Sequence, residues 1–248
     1  MAVLNGSVYS EALGMKTGVS FVVPYEMRDR KNTDIKVIYL LHGLSDDYMC
    51  WLYQSNVSRY ANDRGVMIVM PEVQRSWYTD MKMGGKYFTY ISKELPKMVE
   101  NIFGITHTRD NTFIAGLSMG GYGALKCALK NPEFYKGVAA FSSVADIKSH
   151  RFDEAFYDLD FCFGEGVDLP DDENLMCLAQ NLSEICSCKH PKIYMACGTE
   201  DFLLQDNRKF DQKLSHLNIA HTYEEWGGGH TWDFWNTAIQ KAMNFFGM

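Results

Sequence analysis

Short apolar runs alternate with stretches of helical periodicity along most of the chain. The run at residues 37–41 is almost wholly apolar, which is typical of a strand buried on both faces. The alternation of strands with helices predicts an α/β fold, a mostly parallel central sheet flanked by helices on both faces. The predicted strands cover residues 18–23, 37–41, 66–70, 112–115, 138–141, 193–197 and 222–225.

Helices are predicted over residues 87–103, 122–130 and 232–246, where apolar positions recur at about 3.6 residues. Pro96 lies inside the first of these and predicts a kink, because proline donates no backbone hydrogen bond. Between residues 145 and 189 the pattern weakens and becomes acidic and aromatic, which we interpret as a small helical excursion above the sheet. No repeat or long linker divides the 248 residues, so a single domain over residues 1–248 is predicted.

Residues 116–120 read Gly-Leu-Ser-Met-Gly and join the strand at 112–115 to the helix at 122–130. A serine on such a tight strand–turn–helix connection has a strained backbone, and flanking glycines avoid collisions with the neighbouring strand and helix. The helix N-terminus behind it favours negative charge. Ser118 is therefore the candidate nucleophile. The alternative is a glycine-rich turn with an incidental serine.

A serine hydroxyl needs a base, and in hydrolases with this turn the chain order is serine, acid, histidine. His230 follows three consecutive glycines after the last predicted strand and precedes the last helix, as a base on a late loop should. His42 belongs to the motif after strand 37–41 and is interpreted as bracing its loop. The remaining candidates lack a strand-end loop setting: His150, His190, His216 and His221.

The acid that orients the histidine is expected just after the strand before the last one. Asp201 follows strand 193–197 through Gly-Thr-Glu and is the first choice. Glu200 is a near neighbour that could take the role. Asp146 is a third candidate, since it follows the preceding strand.

An acyl-transfer intermediate carries an oxyanion that needs backbone N–H donors. The amide of Met119, next to the nucleophile, is one predicted donor, and the amide of Leu44, after strand 37–41, is the other, with Gly43 as an alternative to Leu44.

Four aromatic residues near strand ends or catalytic segments are predicted to line the substrate pocket, although packing in the core is an equally good account of any one of them: Trp51, Trp77, Tyr78 and Trp232. Met81, Met83 and the following glycine pair suggest a mobile loop at the entrance.

Composition excludes several other classes of protein. A net charge of −7 without clustered Lys or Arg argues against nucleic-acid binding. No apolar stretch is long enough for a membrane span, and no signal peptide is evident, so a cytoplasmic location is the expectation. Seven cysteines without CxxC spacing are interpreted as reduced core thiols, and no metal motif occurs.

Four segments together resemble the esterase D group of α/β-hydrolases, with bacterial tributyrin esterases the most similar. The resemblance spans nearly the whole chain and implies hydrolysis of short-chain acyl esters by Ser118, Asp201 and His230 through an acyl-enzyme, without a cofactor. The wider group includes S-formylglutathione hydrolases, feruloyl, cinnamoyl and acetylxylan esterases, and mycolyltransferases. The four segments are Leu40 to Leu44, Trp77 to Asp80, Phe113 to Gly123 and Gly198 to Leu203.

The leading hypothesis is a serine carboxylesterase acting on a small-molecule ester, as a monomer or a homo-oligomer. A carbohydrate esterase that removes feruloyl, cinnamoyl or acetyl groups and an S-formylglutathione hydrolase are the alternatives. Acyl transfer to a second alcohol is a further possibility. A non-catalytic binding protein that keeps the fold is the alternative from another class, although every catalytic residue type is present.

Overall fold

The computed structural model describes residues 1–24, 31, 33–150, 154–166 and 168–248. The strands that it contains are β1 (Ala2–Ser10), β2 (Met15–Val23), β3 (Val37–Leu41), β4 (Met67–Pro71), β5 (Thr112–Leu117), β6 (Gly137–Phe141), β7 (Lys192–Gly198) and β8 (His221–Trp226). They form one sheet in the order β1-β2-β4-β3-β5-β6-β7-β8. β1, β2 and β4 pair antiparallel, whereas all neighbours from β4 to β8 pair parallel. This confirms the predicted, mostly parallel sheet.

The α-helices within the described residues alternate with these strands. They are α1 (Cys50–Gln54), α2 (Val57–Arg64), α3 (Tyr87–Thr89), α4 (Leu95–Phe103), α5 (Met119–Lys130), α6 (Asp158–Phe163), α7 (Leu175–Ser183), α8 (Leu204–His216) and α9 (Trp232–Phe245). The predicted excursion at 145–189 contributes α6, α7 and short 3₁₀ turns, and its residues 151–153 and 167 lie outside the described residues.

Side chains of each buried strand alternate between two apolar cores, as a pleated strand requires. On β3, Val37, Tyr39 and Leu41 join the core that includes residues of α4, α5, α7 and α8. Ile38 and Leu40 join the opposite core, which includes residues of α1, α2 and α9. The sheet is thus covered by helices on both faces, which explains why its central strands are apolar throughout.

The N-terminal hairpin was not predicted. β1 contains Asn5, Gly6 and Ser7, which do not favour strands, and most of its side chains are exposed. It forms because all nine of its residues pair with β2. The amphipathic signal of a half-buried strand is weak here because β1 is an edge strand, so its sequence pattern carries little information.

The predicted helix at 87–103 is helical throughout but changes type along its length. A π-helical stretch, Tyr90–Glu94, separates α3 from α4, and Pro96 lies in the first turn of α4. Proline cannot donate to a carbonyl in the preceding turn, and wider π turns are one way in which a helix accommodates such an interruption. The expected disturbance is therefore present, but it lies N-terminal to the proline.

The carboxyl ends of β3, β5, β6, β7 and β8 lie at one edge of the sheet, because these strands are parallel neighbours. At this edge the turn after β5 packs directly on the end of β3. A Cβ on Gly120 would lie 2.6 Å from the carbonyl oxygens of Leu41 and His42. Glycine is therefore required at this position by a backbone contact rather than by a left-handed φ.

Two predictions from composition are also tested by the described residues. Among the described residues, no helix is long and apolar enough to cross a membrane. The cysteines are only partly the expected core thiols. Cys127, Cys162 and Cys197 are buried, but Cys186 and Cys188 are exposed on the 3₁₀ turn before β7.

We expect Gly120→Ala to lower the free energy of unfolding by about 2–3 kcal/mol, because the new Cβ collides with two backbone carbonyls that cannot rotate away. Gly6→Ala is the matched control, since its nearest neighbour would be the Val19 carbonyl oxygen at 3.9 Å. Urea denaturation followed by circular dichroism measures both. Equal stability of the two variants would contradict the packing account.

Candidate active site

Ser118 occupies the turn between β5 and α5 with φ 52° and ψ −119°, a conformation that non-glycine residues rarely adopt. Its N–H donates to the Phe141 carbonyl on β6 (2.9 Å), and its own carbonyl accepts from the Tyr122 N–H (3.1 Å). These bonds tie the strained residue to the next strand and to the helix that follows. Such strain persists only where the surrounding structure holds it, and it is common at catalytic residues.

His230 lies on the glycine loop between β8 and α9, and its Nδ1 is 2.9 Å from Oδ2 and 3.1 Å from Oδ1 of Asp201. The histidine is partly exposed, whereas the Asp201 side chain is fully buried. An Nδ1–H that donates to a carboxylate leaves Nε2 as the proton acceptor. The arrangement suits a histidine that acts as a base, with the carboxylate holding its tautomer.

The structure separates the three candidate acids. The Glu200 carboxylate accepts from the N–H of Gly228 and the hydroxyl of Thr199, so it braces the glycine loop. The Asp146 carboxylate pairs with Lys209 at 3.0 Å. Of the three, Asp201 is the one brought to His230.

Burial opposes ionisation of Asp201, but its donors outweigh that effect. Burial raises the pKa of Asp201, and contacts with His230, the Leu203 N–H and the Ser142 hydroxyl lower the pKa below its ordinary value. The Leu203 N–H lies 2.9 Å from Oδ1. The carboxylate is therefore ionised at neutral pH, as a group that stabilises an imidazolium must be.

The two amides predicted as oxyanion donors are free within the described residues. Met119 begins α5, and neither its N–H nor that of Leu44 has an acceptor there. The Gly43 N–H, the alternative donor, is used by the Asp46 carboxylate (3.2 Å). This favours Leu44 over Gly43.

His42 is buried and braces the loop after β3, as predicted. Its Nε2 accepts from the Val73 N–H (3.1 Å), so Nδ1 carries the proton and donates to the Gly43 carbonyl (2.7 Å). With both nitrogens used, this imidazole does not serve as a second base. The bond to Gly43 holds the backbone that leads into the Leu44 amide.

A cleft of about 600 Å³ opens above these groups and is lined by both Ser118 and His230. Its polar lining side chains include Ser45, Asp46 and Arg75. Its apolar lining comprises Leu44, Leu117, Ala155, Phe156, Phe202, Trp232 and Trp235. A cleft of this size, mostly apolar with a few polar groups, can hold a small molecule.

Three of the four aromatics predicted to line the pocket lie in the core instead. Trp51 donates from Nε1 to the Leu41 carbonyl (3.1 Å), and the Tyr78 hydroxyl donates to the His42 carbonyl (2.9 Å). Trp77 packs edge-on against Tyr122 and Phe156. All three are almost fully buried, so they support the end of β3 and helix α5, and of the four predicted aromatics only Trp232 reaches the cleft.

Several cleft residues were not predicted as site residues. Trp235 lies within the predicted helix 232–246, and Phe202 follows Asp201 directly and packs on the His230 ring (4.7 Å). Proximity in sequence to the predicted acid was a usable signal for Phe202. Phe156 and Arg75 carried no such signal, because their positions depend on how the excursion docks.

The excursion is anchored to the body of the protein by charged pairs. Glu173 accepts from Lys126 of α5 at 2.6 Å, and the Lys126 side chain is fully buried. Arg75 donates from Nε to Asp158 of α6 (2.8 Å).

The predicted mobile entrance loop is held by backbone bonds. The N–H groups of Lys82 and Met83 donate to the Cys162 and Phe161 carbonyls of α6. The loop does not line the cleft that contains Ser118 and His230.

Within the described part of the chain, no group of three or more His, Cys, Asp or Glu side chains could hold an ion.

Comparison with known proteins identifies the family. The model of the Esterase family matches residues 10–246. The chain belongs to the Esterase family. Acetyl esterase from Caldicellulosiruptor saccharolyticus is 33% identical to this esterase over 267 residues, which cover 99% of this chain and 98% of the relative. The predicted resemblance to the esterase D group is confirmed by these matches and by the solved structures below.

Two solved structures from Staphylococcus aureus are similar over nearly the whole chain. The fluorophosphonate-binding serine hydrolase F has a TM-score of 0.90 and 30% identity, and covers 99% of this chain and 98% of its own. An S-formylglutathione hydrolase has a TM-score of 0.84 and 28% identity, with the same coverage. This esterase therefore has the α/β-hydrolase fold and is a carboxylic ester hydrolase that acts on small-molecule esters.

Stability should depend on pH through Asp201. Because its folded-state pKa is lowered, the ionised carboxylate contributes stability above the ordinary aspartate pKa of about 3.9, and this contribution is lost as the pH falls through the folded-state pKa. We expect the difference in unfolding free energy between the wild type and Asp201→Asn to be largest near neutral pH and to shrink below about pH 4. Urea denaturation at a series of pH values tests this. A difference that stays constant into the acid range would contradict it.

Proposed function

We propose that this esterase is a serine carboxylesterase that hydrolyses short-chain acyl esters, with Ser118 as nucleophile, His230 as base and Asp201 as the acid that orients the base. The observation that carries the proposal is the His230–Asp201 contact, 2.9 Å from Nδ1 to Oδ2, in a cleft that the strained Ser118 also lines. The nucleophile, the base and the orienting acid follow the carboxyl ends of β5, β8 and β7 in one sheet, and these are the parts that acyl transfer requires.

The reaction has two halves. His230 accepts the Ser118 proton as Oγ attacks the ester carbonyl, and then protonates the departing alcohol. Water, activated by the same imidazole, cleaves the acyl-enzyme and releases the acid. Asp201 stays ionised throughout and stabilises the imidazolium that forms in each half.

The oxyanion is held by the N–H groups of Met119 and Leu44. Met119 N–H lies at the N-terminus of α5, where the helix dipole favours negative charge. Leu44 N–H is kept available because Asp46 takes the neighbouring Gly43 N–H. Each such donor contributes on the order of 10²–10³ in rate.

The preference for short acyl chains is supported by the cleft and by a relative. The wall beside His230 is closed by bulky aromatic side chains, namely Phe202, Trp232 and Trp235. The Trp235 ring packs against the rings of His230 and Trp232, with centroid distances of 4.9 Å and 5.3 Å. A relative that is 33% identical over nearly the full chain is named an acetyl esterase.

Initial rates on p-nitrophenyl esters from acetate to octanoate, together with labelling by a fluorophosphonate probe, test the nucleophile and the acyl preference. We expect a steep fall in kcat/KM with chain length. Ser118→Ala should lose at least about 10⁴-fold in kcat and all labelling. Ser187→Ala, on an exposed turn before β7, is the matched control and should match the wild type. Labelling of Ser118→Ala would overturn the assignment of the nucleophile.

The assignment of the acid is tested by three amide substitutions on the same substrate. Asp201→Asn should lower kcat by about 10⁴-fold. The neutral amide favours the wrong imidazole tautomer, and it does not stabilise the imidazolium that forms during the reaction. Glu200→Gln and Asp146→Asn keep a side chain of the same shape and should stay within about tenfold of the wild type. A larger loss in either of these than in Asp201→Asn would move the role of acid to that residue.

A second candidate is hydrolysis of S-formylglutathione, since a hydrolase of that thioester from Staphylococcus aureus is 28% identical over nearly the whole chain. Glutathione is anionic, so a free basic side chain in the cleft would favour its binding. Among the described residues that line the cleft, Arg75 is the one Arg or Lys, and its guanidinium already donates to the Asp158 carboxylate. We therefore rank the simple ester first. A higher kcat/KM for S-formylglutathione than for p-nitrophenyl acetate would reverse that order.

A further inference from the structure

A second cavity, of about 320 Å³, adjoins the cleft of the candidate active site. Arg75 lines both, so the two cavities meet at its side chain. The rest of the lining comes from the segment after β4, from the loop before α3 and from α6, and it includes Gln74, Met83 and Phe161. Within the described residues, this lining contains none of the groups proposed for catalysis. The reaction at the ester carbonyl therefore does not account for the second cavity.

Two large apolar side chains of the second cavity are exposed to solvent. Met83 is 67% exposed and Phe161 is 47% exposed. Their backbones are fixed to each other, because the Met83 N–H donates to the Phe161 carbonyl (3.0 Å) and the Lys82 N–H donates to the Cys162 carbonyl (2.9 Å). Exposed apolar side chains grouped at a concavity are typical of a binding site. With Met81, which also lines the cavity, they suit an aromatic ring, since methionine sulfur makes favourable contacts with such rings.

Polar side chains at the second cavity offer hydrogen-bond donors. Gln74 has a φ of 54°, a strained conformation of the kind found at ligand clamps. Its Oε1 accepts from the Tyr87 hydroxyl (3.0 Å), and its Nε2 has no acceptor among the described residues. Arg75 directs Nε and Nη2 to Asp158, while Nη1 has no acceptor in that part of the chain. Because Asp158 neutralises the guanidinium, these donors suit a neutral acceptor oxygen better than an anion.

The position of Arg75 indicates which end of an ester reaches the second cavity. The aromatic wall beside His230, which we propose to limit the acyl group, does not include Arg75. Arg75 instead adjoins the excursion, where its Nη2 lies 3.4 Å from the Ala155 carbonyl. The ring of the next residue, Phe156, packs edge-on against Trp77 of the core. An ester bound at the proposed nucleophile has one end that the aromatic wall does not limit, and this is its alcohol.

We propose that the second cavity binds the distal part of the ester's alcohol, an aromatic ring, and that Met83 and Phe161 determine specificity for it. This inference rests on the proposed function, because it requires an acyl-enzyme at Ser118. The acyl group stays small, the alcohol extends past Arg75, and an acceptor oxygen on its ring meets the donors of Arg75 and Gln74. The alcohol departs in the first half of the reaction, so its binding changes acylation and leaves deacylation unchanged.

Two acetate esters that differ at the far end of the alcohol test this binding. 3-Phenylpropyl acetate and propyl acetate form the same acetyl-enzyme, and their alcohols leave with similar ease because the ring is remote from the ester oxygen. For the wild type we expect kcat/KM to be at least about tenfold higher with the phenylpropyl ester, the effect of filling an apolar subsite.

Met83→Ala/Phe161→Ala should reduce this ratio to about two, because most of the apolar contact with the ring is lost. Its kcat/KM on propyl acetate should equal that of the wild type, since neither side chain lines the cleft with Ser118 and His230. Ile102→Ala is the matched control, because it removes another exposed apolar side chain, on α4 and outside the second cavity, and it should keep the wild-type ratio.

Three results would overturn this inference. The first is an equal kcat/KM of the wild type on the two acetates, and the second is a ratio that Met83→Ala/Phe161→Ala leaves unchanged. The third comes from ethyl 4-phenylbutanoate and ethyl butanoate, which carry the ring on the acyl side. A preference for the phenyl ester of this pair that the double variant loses would assign the cavity to the acyl group. Failure of the proposed function is distinct, since hydrolysis of propyl acetate would then be absent or would survive in Ser118→Ala.

Discussion

The backbone contact between the turn after β5 and the end of β3 is the constraint on which the site depends. Gly120 lies so close to the carbonyls of Leu41 and His42 that no side chain fits between them. This contact brings the Ser118 turn against the loop that carries Leu44, so that the proposed nucleophile and both proposed oxyanion donors are built on one rigid junction. The core aromatics Trp51 and Tyr78, one from each apolar core, donate to the same two carbonyls and fix the junction. A small displacement of either segment would change the distance between nucleophile and donors, to which catalysis is sensitive.

Strain is concentrated at the same edge of the sheet. Ser118 and Ser142 both have positive φ, and each follows one of two neighbouring parallel strands, β5 and β6. Each donates its N–H to the next strand, to Phe141 and to Ala196. One backbone hydrogen bond to the neighbouring strand, formed just after β5 and just after β6, therefore holds the unfavourable backbone conformation of each serine in place. In this geometry both serines leave the sheet in a backbone conformation that an unstrained strand end would not adopt, and the neighbouring strand holds it.

Sequence patterns predicted the residues whose positions depend on where a strand ends. They missed the residues whose roles depend on the direction in which a side chain points. Ser118, Asp201 and His230 could be proposed because each follows a strand whose apolar pattern is readable, and the parallel sheet brings those ends together. Trp77 and Tyr78 also follow a strand, yet both have φ of 53° and turn into the core. Nothing in a pattern of apolar residues distinguishes a left-handed turn from an extended one when neither residue is glycine. The positive φ of Ser142 could not be predicted for the same reason.

Chemistry and specificity are located on different parts of the chain. The groups proposed to act on the ester carbonyl come from the ends of the sheet, whereas Ala155 and Phe156 of the cleft wall come from the excursion. The excursion is attached through the buried Lys126–Glu173 pair and through Arg75, whose guanidinium donates to both Asp158 and the Ala155 carbonyl. Arg75 is thus at once a cleft residue and an anchor. A buried ion pair is costly to break but adds little beyond well-packed apolar residues, so its value here lies in fixing where the excursion docks. The shape of the substrate pocket is set by that docking, independently of the triad geometry, and relatives with the same fold can therefore differ in substrate while the strand-end chemistry stays the same.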